Sequence, residues 1–149
     1  MGRIGTLALA GALVALAGCS SAVTTPAAQP APAVVTAPLA LALNPWMSSG
    51  ESGAATFIPL NSSQTQVQVR FTGQPGPHQG FLHVGSCQHM GAIVARLGTL
   101  NVASSGSGAL TENVELPLSL LRDGNHFIAF HQANGNPGNA VACTDIPAM

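Results

Sequence analysis

Five histidines and one cysteine concentrate most of the chemistry in this chain. The histidines stand at positions 78, 83, 89, 126 and 131. Three of them crowd Cys87 in the run Pro77-His78-Gln79-Gly80-Phe81-Leu82-His83-Val84-Gly85-Ser86-Cys87-Gln88-His89. Neutral imidazole is a common ligand for copper, zinc and iron, so such a cluster points first to a transition metal. The plain alternative is a set of partly buried imidazoles that donate to backbone carbonyls. Met90, beside His89, adds a soft thioether that copper accepts, although a lone methionine there equally serves packing.

Other chemistries find less support. Glu112 and Glu115 are oddly spaced, so on a strand they occupy opposite faces, which argues against paired acid–base catalysis. Ser104 to Gly108 reads as a turn and not as a phosphate cradle, because no strand–loop–helix unit surrounds it. No serine sits in a nucleophile motif. After residue 45 the only cations are Arg70, Arg96 and Arg122, against acids at 51, 112, 115, 123 and 145. Nucleic-acid binding needs a basic footprint, and this one is too thin. Partners recruited by a strong field of either sign are equally unsupported.

The elements that position these residues read as strands. Val67, Val69 and Phe71 alternate with Gln66, Gln68 and Arg70, a half-buried strand pattern. Further strands are expected over Ala54 to Leu60, Gln79 to Val84, Ala92 to Val102, Ala109 to Leu116, Asn125 to His131 and Asn139 to Thr144. Turn signals separate them: Asn61 to Ser63, Gly73 to Pro77, Ser104 to Gly108, Asp123 to Asn125 and Asn134 to Gly138. Pro117 to Leu121 reads as a brief helical turn. Short strands at this spacing predict an all-β antiparallel sandwich or barrel. On regular strands His83 shares a face with Phe81, and His131 with Ala129 and Phe127. His78 and His126, five positions from those histidines, should face the other way, as surface or turn residues.

The N-terminus carries a different message. Arg3 precedes an apolar run from Ile4 to Ala17, the charged start and hydrophobic middle of an export leader. It is shorter than the ~20 residues a spanning helix needs. Leu16-Ala17-Gly18-Cys19 resembles the bacterial lipobox, which implies cleavage after residue 18 and diacylation of Cys19. Buried acyl chains contribute ~0.8 kcal/mol per CH₂, enough for several chains on one cysteine to anchor the protein stably. From Ser20 to Pro45 the chain is charge-free and studded with proline, so residues 19–45 read as a tether, with Leu39 to Leu43 as an optional peripheral strand. Residues 46–149, about 100 of them, suffice for one compact domain. With Cys19 committed to lipid, Cys87 and Cys143 remain for an oxidising compartment and are expected to form a disulfide. Free thiols or a thiolate metal site are the alternatives.

Several of these segments together resemble the copper–zinc superoxide dismutase family. They are Phe81-Leu82-His83 with Gly85-Ser86-Cys87, then Phe127 to His131, then Val141-Ala142-Cys143-Thr144-Asp145-Ile146. The resemblance spans about Gly53 to Pro147, and it implies a Greek-key β-barrel with Cys87 bridged to Cys143. It also implies that His83 and His131 occupy copper-ligand positions and approach each other. The first copper ligand, however, falls on Phe81. The histidine bridging copper and zinc falls in Ala92-Ile93-Val94, the zinc loop is missing before Arg96-Leu97-Gly98, and the substrate-guiding arginine falls on Ala140. Two imidazoles make at best a weak, open site for redox copper. The expectation is therefore an envelope-anchored lipoprotein, on the outer membrane if the organism is Gram-negative. Its dismutase-like domain would be a non-enzymatic binding or structural module, with the membrane as its partner through the anchor. The competing expectation is a copper-binding protein or copper-dependent dismutase that uses His83 and His131, completed by His89 or His78.

Overall fold

A strand alternating apolar and polar side chains is stable when its apolar face meets a second apolar face, and Thr65–Thr72 is the clearest of the eight strands in this respect, whereas His126–Gln132 is buried on both faces. A computed structural model describes residues 37–133 and 140–149. The expected leader, Cys19, the tether before residue 37 and the turn Asn134 to Gly138 lie outside the described residues. The elements are β1 (Leu39–Pro45), β2 (Ser52–Pro59), β3 (Thr65–Thr72), β4 (Gly76–Ser86), β5 (His89–Val102), β6 (Ser107–Val114), α1 (Leu118–Leu121), β7 (His126–Gln132) and β8 (Ala140–Ile146). Every pairing is antiparallel. The strands follow one another in the order β5-β4-β7-β8-β1-β2-β3-β6. The two edge strands, β5 and β6, are joined by a tight turn in which Ala103 N donates to Ser107 O. They lie against each other, so the sheet is a nearly closed barrel.

The alternation of β3 holds residue by residue: Val67, Val69 and Phe71 are buried, while Gln68 and Arg70 are exposed. Opposite them in the interior stand Phe57, Leu82, Leu97, Leu100, Ile128 and Phe130, all buried. Helix α1 closes one end of the barrel by turning Leu118 and Leu121 inward. Among the described residues no helix is long and apolar enough to cross a membrane.

The boundary expected at residue 46 needs correction. Leu39, Leu41 and Leu43 alternate with Ala40 and Ala42, and β1 pairs with β2 on one side and β8 on the other. It is therefore an inner strand and not a peripheral one. Composition hid it, because three leucines in a run rich in alanine and proline carry little contrast until their partners, Phe57 among them, are in place. After β1 the chain reverses at Met47 and Ser48, both at positive φ (48° and 63°), with Ser49 N donating to Trp46 O at 3.0 Å. Two successive positive-φ residues define the primed turn whose twist suits a hairpin.

Candidate functional site

Strands β4 and β7 carry side chains to both faces of the barrel wall. The rows Gly80–Phe130 and Leu82–Ile128 point into the core, while Gln79–His131, Phe81–Ala129 and His83–Phe127 lie on the outer face. There the structure brings His83 and His131 together. Their ring centroids are 5.8 Å apart, His83 stacks on Phe127 at 4.7 Å with planes 11° apart, and Phe81 sets its edge against both histidines at 5.9 and 5.4 Å. This face is dry despite lying outside the barrel: Phe127 and Ala129 are fully buried, and His83 is 4% exposed. Part of the cover comes from the Ser86 to Gln88 turn, held over β8 by the expected Cys87–Cys143 disulfide and by Cys87 N donating to Asp145 Oδ1 at 2.7 Å. Trp46 and Met90 pack against the same cluster.

The tautomer of His83 follows from its partner. Nδ1 lies 3.1 Å from Gly91 O, and a carbonyl only accepts, so the proton is on Nδ1. Nε2 is then a bare acceptor, buried and without a hydrogen-bond partner among the described residues. Two glycines permit this arrangement. A Cβ on Gly85, which sits at φ +102°, would come within 2.4 Å of His89 O, and one on Gly91 within 2.5 Å of Val84 O. Side chains at either position would push the strands apart and withdraw the Gly91 carbonyl.

A metal ion lies ~2 Å from each imidazole nitrogen, so two rings on one ion stand up to about 6 Å apart between centres. The His83–His131 centroid separation of 5.8 Å lies within that reach. No third donor joins them: no group of three metal-capable side chains occurs among the described residues. Phe81 packs beside both rings, its centroid 5.9 and 5.4 Å from theirs, and the Arg96 guanidinium lies 5.3 Å from the Phe81 ring centre. Arg96 is exposed, so solvent screens much of its repulsion of a second cation. Position 140 brings only a methyl group, opposite His131.

The other histidines lie elsewhere. His89 is exposed, its backbone N donating to Ser86 Oγ at 3.2 Å. His78 and His126 do face away from His83 and His131, but neither is a surface residue: both are buried. His78 Nε2 stands 2.8 Å from Glu51 Oε2, a charge-pair distance without the alignment of a regular hydrogen bond. The distance defines this contact, since two buried polar atoms so close interact strongly whatever the angle. His126 Nδ1 lies 2.8 Å from Asp123 Oδ1. The backbone N–H of Asn125 and then the side chain of His126 hold the Asp123 carboxyl below its usual range.

Sequence reasoning missed Glu51, Phe127 as the stacking partner of His83, and Arg96. Glu51 follows Ser49 and Gly50 in a stretch without apolar periodicity, so nothing local marks it as buried. The bulges that turn Arg96 toward Phe81 are likewise silent in the sequence. No protein-family model matches this chain, and no curated protein matches it.

Proposed function

We propose that this chain is an envelope lipoprotein, exported by residues 1–18 and anchored through lipid on Cys19. Its barrel is a degenerate relative of copper–zinc superoxide dismutase that acts as a non-enzymatic binding or structural module. Three hairpin-joined strands, β4, β5 and β6, are followed by β7 crossing back to lie beside β4, a Greek-key connection that supports the resemblance. The observation that carries the reading is Phe81. Its ring occupies the first ligand position and packs against both remaining histidines, so the residues present do not fit a redox copper centre, which needs several ligands in fixed geometry.

A second reading keeps a copper-binding role for His83 and His131. The buried, bare Nε2 of His83 favours it, because an acceptor left unpaired in a dry site is stabilised by any Lewis acid that reaches it. Copper and zinc content of the purified oxidised protein after copper loading and dialysis separates the two. His83→Ala and His131→Ala serve as negative controls and Phe81→His as a positive one. The first reading expects metal retained only by Phe81→His. Stoichiometric copper in the wild type, lost in both alanine variants, would replace it with the second.

A further inference from the structure

The large apolar side chains exposed among the described residues are Met47, Leu60, Ile93, Val94, Leu120 and Met149. Three of them gather about α1. Leu120 belongs to it, Met149 N donates to the carbonyl of Arg122 immediately after it at 3.2 Å, and Leu60 follows β2, the strand on which α1 rests. They are 44%, 66% and 46% exposed, so much of each side chain still faces water. Arg122 sits among them without an acidic partner, and its Nε is buried with no hydrogen-bond partner among the described residues. The nearby acids are otherwise engaged. Glu115 accepts from Gln64 Nε2 at 2.6 Å, while Asp123 accepts from Asn125 N and pairs with His126.

The chain also enters the barrel at this end, where Leu39 pairs with Phe57 near the close of β2. Between Cys19 and that strand lie residues 20–38. A chain of this length spans about 25 Å as a coil and no more than about 60 Å in extended polyproline form. A tether of that reach joins the barrel at its α1 end and lets this end come to the bilayer. The apolar rim carries one cation, Arg122, beside the carboxylates of Glu115 and Asp123, whose donors are chiefly neutral amides, and an apolar surface of this kind suits the boundary between acyl chains and phosphate headgroups.

We infer that the α1 end of the barrel docks on the phospholipid surface. Leu60, Leu120 and Met149 enter the headgroup boundary and Arg122 meets a lipid phosphate. The inference rests on the lipoprotein reading of Cys19, and the test separates the two. The full protein is isolated from membranes, its intact mass reports acylation, and it is placed in vesicles of phosphatidylethanolamine and phosphatidylglycerol with brominated acyl chains. Trp46, the sole tryptophan, lies beyond the far end of β1, about 20 Å along the strand from Leu39. Leu120→Trp and, separately, Leu60→Trp add a reporter on the docking face; both sites are half exposed, and the second serves if the first variant folds poorly.

The added tryptophans are expected to emit at shorter wavelength and to be quenched severalfold more than Trp46, and Arg122→Gln is expected to weaken that quenching. Acylated protein whose added tryptophans are quenched no more than Trp46 would overturn docking and leave the anchor intact. Protein without lipid that stays off the vesicles would overturn both. Protein without lipid whose added tryptophans are still quenched would support docking and refute the anchor.

Discussion

His78 and His83 stand five residues apart on β4 and are almost equally buried, yet they face opposite sides of one barrel wall. His78 looks inward against Phe71 and meets a buried carboxylate, Glu51. His83 looks outward, gives its Nδ1 proton to a carbonyl, stacks on Phe127 and keeps a bare Nε2. The first is a structural pair, whose loss strands a polar group in the core. The second is an imidazole held in place with one nitrogen unspent. Burial by itself thus says nothing of a histidine's role; the partner of each nitrogen does.

The comparison can be broken by removing one partner at each site. Glu51→Ala is expected to have the largest effect, lowering unfolding free energy by about 3–5 kcal/mol, because it leaves His78 buried without its counterpart. Urea denaturation at neutral pH measures this, and a loss near zero would make the pair incidental. His83→Phe is expected to change stability by no more than about 1 kcal/mol in the same experiment. It forfeits one hydrogen bond to Gly91 but also removes an unsatisfied buried acceptor. A loss as large as that of Glu51→Ala would mean that Nε2 has a partner of its own.

The smallest effect is expected at Asp123, whose side chain is 40% exposed. Its carboxyl is depressed in the folded protein, so its stabilising contribution is present above the unfolded value and is lost as pH falls through the folded one. Asp123→Asn should therefore be slightly less stable than wild type at neutral pH. The two denaturation midpoints should converge once pH drops well below 3.8, the ordinary value for this group. A gap that persists in acid would assign the effect to the turn at Gly124 and not to the charge.

Much of the barrel was legible because strand alternation is local. The segments around Val67 to Phe71, Gln79 to Val84 and Asn125 to His131 announce themselves by period and by flanking turns, and the pairing of Cys87 with Cys143 followed from counting. β1 is only half legible: Leu39 to Leu43 reads as tether or as a peripheral strand, because it looks like its alanine-rich surroundings until β2 and β8 take it between them. The site was half legible. The shared face of Phe81 and His83 is a consequence of spacing, whereas the burial of that face depends on a turn drawn over it by a bond to β8, 56 residues away.

The sequence by itself determined an all-β domain and which residues share a strand face, such as Phe81 with His83, because each depends on residue type and periodicity; the meeting of His83 with His131 was implied only by the family resemblance. Only the tertiary structure decided that Phe81 packs against both of those histidines, that Arg96 lies over it, and that Glu51 is sealed against His78. Bulges and long-range packing fix which groups meet, and no local pattern in the chain encodes them.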